Sequence, residues 1–169
     1  MTIMPKPNEI SSAPGVSSPT RRCCTFLVAG RCFAVDADLV AEVLQSTRLN
    51  MVPLAAPAIA GLLNLRGRIV PVIDLRIRLG FPPAPPELQR INLVVDLEHE
   101  WYSLLVDNLL DVVTFDVSRI EQPTGERTNP SLDAVTGVLA DRDLLVHFLA
   151  PDQILQSLVI TRARGLSVG

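Results

Sequence analysis

The stretch GLLNLRGRIVPVIDLR, from Gly61 to Arg76, decides how the chain folds. It holds two short apolar runs on either side of Arg66-Gly67. Because glycine adopts a positive φ without strain, this pair predicts the tight turn of a β-hairpin. Pro71 lies inside the second run and, having no N–H to donate, predicts an edge or bulged position. Asp74 then predicts the cap of a short helical turn, LRIRL, which Gly80 can end at its C-terminus.

Similar pairs of apolar runs lie on both sides of this stretch and predict a mostly β chain. Three further hairpins are expected, with turns at Ala29-Gly30, at His99-Glu100 and across 141–143. Short helices are expected where an acidic residue or a proline begins an apolar pattern. They would begin at Asp36 or Asp38, continuing through Val40, Val43 and Leu44, and at Pro151, covering DQILQSL.

The sequence contains an internal repeat. Residues 61–79 align without gaps on residues 137–155, and residues 34–43 parallel 105–113, a period of about 70–76 residues. The repeat predicts two tandem β units, 23–81 and 87–158, joined by a stiff PPAPP connector over 82–86. Together they would form a single domain over 23–158. Residues 1–22 are predicted to be a flexible tail rich in Pro and Ser, and residues 159–169 a C-terminal tail.

Each unit is too small for one flat sheet to bury enough apolar surface for stability. We therefore expect each unit to curl into a small barrel and the two barrels to pack together. A sandwich of the two sheets is the structural alternative.

The supply of residues for chemistry is small: two His and three Cys in 169 residues. No nucleophile elbow, zinc-protease motif, phosphate-binding loop or dinucleotide fingerprint is present. Glu98-His99-Glu100 could coordinate a metal in isolation, but a solvated turn is favoured. His147 is interpreted as a packed strand residue, and Asp107 with Asp111 as surface carboxylates. The sequence predicts no catalytic residue, metal or cofactor.

The cysteines and the N-terminus bear on the compartment. Cys23, Cys24 and Cys32 are interpreted as reduced, packed thiols, and a redox pair of Cys24 with Cys32 across a hairpin is the alternative. The N-terminus lacks the layout of a signal peptide, and no apolar stretch is long enough to span a bilayer. These features predict a cytoplasmic protein that does not insert into the membrane.

Charge is unevenly distributed along a chain of net charge −3. Residues 23–80 hold six Arg against four Asp and Glu, net +2, whereas residues 87–155 hold four Arg against thirteen acidic residues, net −9. The one basic cluster comprises Arg66, Arg68, Arg76 and Arg78. It lacks stacking aromatics, and the chain has a single Lys, so no nucleic-acid partner is expected.

Arg66 is the charged residue that the hairpin alone does not explain. A guanidinium between two strands calls for a partner, and Glu42 is the natural candidate within the same unit. The sequence therefore predicts an Arg66–Glu42 ion pair.

The region around Arg66 resembles the CheW family, adaptor proteins of bacterial chemosensory arrays. The Asn64–Gly67 turn, followed by the strand end Val-Ile-Asp-Leu-Arg, carries the specific part of the resemblance. Other motifs occur in family order from Cys24 to Leu158: TFLVAGRCFAVD, Val40-x-Glu42-Val43, Val52-Pro53, RINLVV, LLVDNLLDVV and GVLADRDLLVHFL.

The resemblance implies two tandem five-stranded SH3-like β-barrels with short helices, in agreement with the repeat. It also implies a non-enzymatic scaffold that links transmembrane chemoreceptors to a CheA-type histidine kinase and is recruited to membrane-associated arrays. The kinase's regulatory domain has the same double-barrel architecture, and the receptor's signalling tip is expected in an apolar groove between barrels. The coupling residues implied by the resemblance are Val40, Glu42 and Arg66, with Gly61, Asn64 and Gly67 shaping the loop that presents Arg66.

Two other functions remain open from the sequence. One is a CheW-like adaptor of a non-flagellar pathway, in surface motility or second-messenger control. The other is a small-molecule-binding or enzymatic β-barrel, which would need a sizeable pocket with convergent polar groups.

Overall fold

The fold is built from ten β-strands and few helices. The structure, a computed structural model, describes residues 17–45, 48–53, 55–124, 130–156 and 158. The strands are β1 (Thr20–Val28), β2 (Arg31–Asp36), β3 (Val40–Gln45), β4 (Ile59–Leu65), β5 (Arg68–Asp74), β6 (Ile91–Leu97), β7 (Glu100–Val106), β8 (Asn108–Asp116), β9 (Val135–Asp141) and β10 (Leu144–Leu149). The helices are α1 (Leu75–Arg78), α2 (151–156) and three 3-10 turns, Ala37–Leu39, Val117–Arg119 and Pro130–Leu132. No helix within these described ranges is long and apolar enough to cross a membrane.

The strands form two five-stranded sheets, which confirms the predicted fold class. The first barrel has the strand order β8-β1-β2-β10-β9, and the second barrel has the order β3-β6-β7-β5-β4. The edges of each sheet meet through one short bridge: Asn50 pairs with Leu62 on β4, and Glu121 pairs with Val138 on β9. These bridges close the two sheets around separate interiors.

The assignment of one barrel to each half of the chain is wrong. The hairpin β1–β2 belongs to the same sheet as β8, β9 and β10, while β6–β7 joins β3, β4 and β5. The predicted units, 23–81 and 87–158, therefore each contribute strands to both barrels. The two repeats exchange their first hairpins, because each hairpin pairs in parallel with a strand of the other repeat: β10 with β2, and β5 with β7.

The internal repeat itself is visible in the strand register. The β4–β5 pairing shifts between Ile59 and Gly61, and the β9–β10 pairing shifts at the equivalent place, between Val135 and Gly137. Both closing bridges also correspond, since Leu62 and Val138 are 76 residues apart. The sequence alignment thus located equivalent strands correctly, although it could not show which strands pair.

Tight turns join the hairpins at the predicted places, except that the third turn is Glu98-His99 rather than His99-Glu100, because Glu100 already belongs to β7. Arg66 and Gly67 both have positive φ, 52° and 79°, which matches the right-handed twist of the two strands they join. Ala29 and Gly30 do the same at the first hairpin. A substitution of Gly67 by a residue with a Cβ would be strained by φ rather than by crowding, because no atom lies within 4 Å of that position.

The helix predicted through Val40 and Leu44 is a strand. Asp36 accepts a hydrogen bond from the Asp38 N–H and caps only the 3-10 turn Ala37–Leu39. From Val40 onward the side chains alternate between half-buried and exposed, and the backbone pairs with β6. The prediction of an acidic cap is confirmed at Asp36. The residues after it form a strand because one face of Val40–Gln45 is half-buried at the edge of the second barrel while the other is exposed.

Three apolar clusters fill the molecule. One lies inside the first barrel around Phe115, Phe148 and Val146, and one inside the second barrel around Val70 and Val72. The largest contains residues of both sheets, including Phe26, Phe33, Ile73, Leu93 and Leu104. Because this central cluster is shared, the two barrels form one folding unit and neither buries its outer face alone.

The short helix α1 begins and ends as its sequence predicts. The Asp74 carboxylate accepts a hydrogen bond from the Arg76 N–H at 3.0 Å. At the other end, the Gly80 N–H donates to Ile77 O and the Phe81 N–H donates to Arg76 O, with Gly80 at φ 80°. This Schellman arrangement ends the helix directly before the proline connector.

Candidate functional site

Arg66 and Glu42 form the predicted ion pair. The Arg66 Nη2 lies 3.3 Å from the Glu42 Oε1, joining the β4–β5 turn to β3. Strands β3 and β4 are the two edges of the second barrel, so the pair spans the line along which that barrel closes. The Arg66 side chain remains 72% exposed and that of Glu42 only 22%. Glu42 therefore anchors the guanidinium, and Arg66 presents its charge to solvent.

The other implied coupling residues divide into two places. Val40 lies two residues before Glu42 on β3 and is half-buried against the central cluster. Asn64 is exposed on β4 beside the turn, and Gly67 forms the turn with Arg66.

Gly61 lies away from this loop. It is at the far end of β4, where an added Cβ would be 2.8 Å from Asn50 O, and its φ is +154°. Gly61 therefore permits closure of the barrel rather than shaping the Arg66 loop directly.

The four arginines of the basic cluster do not form a basic surface. Arg66 binds Glu42, and Arg68 lies over the Trp101 ring at 4.1 Å from its centroid. Arg76 binds Asp107, whereas Arg78 is buried and donates to carbonyl oxygens of residues 131, 153 and 154. Each guanidinium contacts a different part of the molecule, which gives no phosphate-binding patch.

A cluster of four charged side chains, one buried and three half-buried, lies where the two sheets meet, and the sequence analysis missed it. Arg90 donates to both oxygens of Asp74, at 2.8 and 2.6 Å, and Arg76 donates to Asp107 at 2.7 Å. Arg90 also approaches Asp107 at 3.5 Å. We call Asp74, Arg76, Arg90 and Asp107 the ion cluster. Only Asp74 and Arg76 are close in sequence, so the Asp-Leu-Arg motif at 74–76 was the one indication of the cluster that the sequence offered.

Asp107 connects the ion cluster to both barrels. Its Oδ2 accepts a hydrogen bond from the Ala29 N–H at 2.8 Å, in the turn of the first hairpin. Burial opposes the charged form of Asp107, but the hydrogen bonds from Arg76 and Ala29 and the charges of Arg76 and Arg90 outweigh it. The pKa of Asp107 is therefore lowered, and the pKa of Arg76 is raised chiefly by its hydrogen bond to Asp107.

The remaining residues considered for catalysis or metal binding are held by contacts within the fold. Asp107 is held by two arginines, and the His147 Nδ1 lies 3.1 Å from Cys32 O with its ring against Phe33. Within the part of the chain that the structure describes, no three His, Cys, Asp or Glu side chains are placed to hold a metal.

The cysteines are free and buried. Cys24 packs in the central cluster and Cys32 inside the first barrel, so they face opposite sides of the sheet and the alternative redox pair is wrong. Burial, the largest cause, raises the pKa of the Cys23 thiol to about 11. These thiols therefore stay protonated at neutral pH and act as small apolar side chains.

An aromatic cleft on the second barrel was not anticipated from the sequence. It has a volume of about 310 Å³ and is lined by Arg68, Ile69, Pro71, His99, Glu100, Trp101 and Tyr102. The sequence analysis treated the turn at 98–100 as solvated and gave no weight to the chain's one Trp and one Tyr, which follow it directly. The parallel pairing of β5 with β7, which brings the two segments together, has no local sequence signature.

The double barrel and the Arg66 turn agree with the comparison against known families. The CheW-like domain model matches residues 22–159. The chain belongs to the CheW-like family. The match begins at Arg22, the last residue of the predicted tail, and extends through α2, so it covers both barrels as one domain. The predicted tail is too long at its C-terminal end, because residues 20–22 already belong to β1 and pair with β8.

Three relatives illustrate the range of the family. The chain is 33% identical over 106 residues to a probable chemotaxis protein CheW of Rhizobium etli, covering 63% of this chain and 68% of the relative. It is 32% identical over 97 residues to Protein PilI of Pseudomonas aeruginosa, covering 57% and 54%. The crystal structure of the scaffolding protein TtCheW from Thermoanaerobacter tengcongensis superposes with a TM-score of 0.70 at 26% identity, covering 78% of this chain and 90% of that one.

Proposed function

We propose that the protein is a non-enzymatic adaptor that couples chemoreceptors to a CheA-type histidine kinase. Its partners would be the kinase's regulatory domain and the receptor's cytoplasmic signalling tip, and receptor arrays would recruit it to the membrane. The observation that carries this proposal is an exposed Arg66 anchored by a half-buried Glu42 in a member of the CheW-like family. The ion pair already restricts the Arg66 side chain, so binding a partner costs little further conformational entropy. This favours a role for Arg66 in recognition.

The same geometry explains why the proposed site lies on the second barrel. The Arg66–Glu42 pair bridges two strand edges and leaves the guanidinium exposed. Val43, the next residue along β3, is exposed on the opposite face of the strand from Glu42, so it does not lie beside this charge. We expect Arg66 to contact the partner, while Val40 and Gly61 support the strands beneath it.

Binding is best measured by titrating the purified chain with a kinase regulatory domain and, separately, with a receptor signalling-tip fragment. Arg66→Glu should weaken one of these complexes by about tenfold or more, as expected for loss of a central contact. Arg142→Glu is the matched control, because Arg142 occupies the corresponding turn of the first barrel and should leave that affinity unchanged. Failure of the unaltered chain to bind either fragment would refute the proposal.

Exchanging the two charges tests whether the partner contacts the charge of Arg66 or whether Arg66 only holds the strands together. The double variant Glu42→Arg, Arg66→Glu keeps an ion pair across the closing line but reverses the exposed charge. If the partner reads the charge of Arg66, the double variant should remain as weak as Arg66→Glu. Recovery of affinity would instead assign Arg66 to holding the strands together.

A second candidate is an adaptor of a non-flagellar pathway, such as surface motility or second-messenger control. The similarity to Protein PilI favours it, because its identity over the aligned residues is close to that of the chemotaxis relative. Parallel titrations with kinase regulatory domains from both kinds of pathway would distinguish the two, since the cognate domain should bind more tightly.

A further inference from the structure

Half of the strand pairings among the described residues join the two repeats of the chain. The first repeat comprises β1–β5 with α1, and the second comprises β6–β10 with α2. Pairings β1–β8, β2–β10, β3–β6 and β5–β7 run between the repeats, whereas β1–β2, β4–β5, β6–β7 and β9–β10 lie within one repeat. Each pairing between repeats could therefore form in the same register with the other repeat of a second copy of the chain.

The side-chain contacts between the repeats are both charged and apolar. In the ion cluster, Asp74 and Arg76 come from the first repeat, and Arg90 and Asp107 come from the second. The central cluster also contains buried residues of both repeats. A repeat that has not met its partner exposes this apolar surface to water, so it is stabilised by pairing with either source of the missing repeat.

One segment, which we call the hinge, determines which repeats meet. It comprises residues 82–89, because Phe81 packs against the central cluster and Arg90 belongs to the ion cluster. Seven of these eight residues are exposed and four are proline. In the extended polyproline II conformation they would span about 25 Å. Both ends nevertheless lie at the ion cluster, because the Arg76 Nη1 donates to Pro82 O at 3.5 Å and Arg90 is a member. The hinge must therefore fold back on itself in the monomer.

A single turn folds the hinge back. The Leu88 N–H donates to Pro85 O at 3.0 Å, which is the one backbone–backbone hydrogen bond within the hinge among the described residues. Pro86 and Glu87, the central residues of this turn, have neither a cis peptide bond nor a positive φ. The turn is therefore of type I, with Pro86 at its second position and Glu87 at its third. Where this turn does not form, the proline-rich hinge stays extended and holds the two repeats apart.

We propose that the chain also forms a two-fold dimer by exchanging repeats, and that the turn at 85–88 sets the proportion of this dimer. In the dimer, the first repeat of each copy pairs with the second repeat of the other, so two complete double barrels form. The exchange is reciprocal, which closes the assembly at two copies. Every pairing of the monomer is retained, and only the hinge changes conformation. The dimer presents two Arg66–Glu42 pairs, one on each double barrel.

A proline at position 87 tests the role of the turn. Proline is disfavoured at the third position of a type I turn and shifts the preceding residue to an extended conformation. Glu87→Pro should therefore extend the hinge, whereas Glu87→Ala, the matched control, keeps the turn. Glu87 is exposed, so neither replacement removes a core contact. Each chain is refolded from urea at about 2 µM and at about 0.2 mM, below the effective concentration within one chain, and its mass is measured by size-exclusion chromatography with light scattering.

The effective concentration of one repeat for the other across a short linker is in the millimolar range. The unaltered chain and Glu87→Ala should therefore be monomeric at about 2 µM, with about one chain in six in dimers at about 0.2 mM. Glu87→Pro should be mostly dimeric at about 0.2 mM, with the circular dichroism spectrum of the monomer. Monomer alone for Glu87→Pro at both concentrations, or a dimer with a changed spectrum, would overturn the proposal.

A second pair of variants changes the stiffness of the hinge and leaves the turn in place. Pro82→Ser with Pro83→Ser makes the first part of the hinge flexible, so it should lower the dimer fraction by about twofold or more. Pro53→Ser, at an exposed proline within the first repeat, is the control and should leave the fraction unchanged. An equal dimer fraction in both variants would contradict a role for the hinge.

An exchange measurement separates exchanged repeats from association through surfaces. Dimers of unlabelled and isotope-labelled chain are purified separately, mixed, and analysed by native mass spectrometry. Mixed dimers should form only after unfolding and refolding together, because separating the copies breaks four strand pairings in each double barrel. Mixed dimers that form within about a minute of mixing native samples would show surface association and overturn the proposal. No kinase or receptor is used, so the outcome is independent of the coupling function.

Discussion

The two barrels share strand order and closing bridges, yet they differ at one turn. In the second barrel the Arg66-Gly67 turn binds Glu42 across the closing line. Arg142 begins the corresponding turn of the first barrel with φ 55°, but among the described residues it has no ion pair. By strand register Asp111 takes the position of Glu42, because Val40, Val43 and Leu44 pair with β6 as Leu109, Val112 and Val113 pair with β1.

This difference shows whether closure of a barrel requires an ion pair. Asp111 accepts a hydrogen bond from the Val112 N–H and forms no ion pair among the described residues, so the first barrel closes without a charge pair at this place. Because the same architecture forms both ways, barrel closure does not require the Arg66–Glu42 pair. The asymmetry therefore supports a role for Arg66 in binding rather than in stability.

The largest effect should come from a substitution in the ion cluster, which lies where the two barrels meet. Asp107→Asn leaves the half-buried Arg76 and the buried Arg90 without one of their carboxylates. Removing one partner of a fully buried pair costs about 3–5 kcal/mol. Because Arg76 and Asp107 are half-buried, we expect the lower end of this range, about 3 kcal/mol, as the loss in free energy of unfolding at pH 7 by urea denaturation. Asp111→Asn, an exposed carboxylate on β8, is the control and should change stability by less than about 0.5 kcal/mol. Equal effects would show that the ion cluster contributes nothing beyond a surface charge.

The ion cluster also predicts an acid dependence. Because the pKa of Asp107 is lowered in the folded state, its contribution is fully present above its unfolded pKa, about 4. It is lost as the pH falls through the lower folded value. The stability difference between the unaltered chain and Asp107→Asn should therefore shrink below about pH 4 in urea titrations. A difference that stays constant down to pH 2 would contradict a native ion pair.

The next effect compares the equivalent glycines of the two barrels. Gly61→Ala places a Cβ 2.8 Å from a backbone oxygen of Asn50 at a φ that strains any other residue, whereas Gly137→Ala meets the Ile120 side chain. Overpacking and strain should cost about 3 kcal/mol at Gly61. At Gly137 the Cβ would lie 2.5 Å from the Ile120 Cγ2, but φ there is outside the region that strains other residues, so we expect about 2 kcal/mol. Thermal denaturation of both variants measures this order, and a larger loss at Gly137 would reverse the assignment of backbone crowding to the second barrel.

The smallest effect tests the asymmetry itself. Arg66→Ala and Arg142→Ala should each change the free energy of unfolding by less than about 1 kcal/mol, because exposed ion pairs contribute little. Urea denaturation in low and high salt measures both. A loss above about 2 kcal/mol for Arg66→Ala alone would make the pair a structural clasp of the second barrel.

Local sequence patterns predicted the parts of this fold that depend on neighbouring residues. The Arg66-Gly67 turn, the Asp74 cap and the Gly80 end of α1 follow from conformational preferences within a few positions. The exchange of hairpins between repeats did not, because parallel pairing of β5 with β7 depends on contacts between residues 31 positions apart. Alternation over Val40–Gln45 was short enough to be mistaken for a helical pattern.

The candidate site shows the same division. The Arg66–Glu42 pair was predictable because an unexplained charge and a nearby carboxylate lie in one unit. The ion cluster and the aromatic cleft were not, because each joins segments whose proximity arises only from the barrel topology. Trp101 was visible in the sequence, but nothing local placed Arg68 over its ring.

The exchange of hairpins has a consequence for the folding and the proteolysis of the protein. When synthesis begins at the N-terminus, β1–β2 emerges first but must wait for β8, β9 and β10 before its barrel can close. Neither repeat can finish alone, so proteolytic cleavage in the connector 82–86 should not release an independently folded half. Each repeat supplies strands to both barrels, so a chain that lacks either repeat would lose both barrels together.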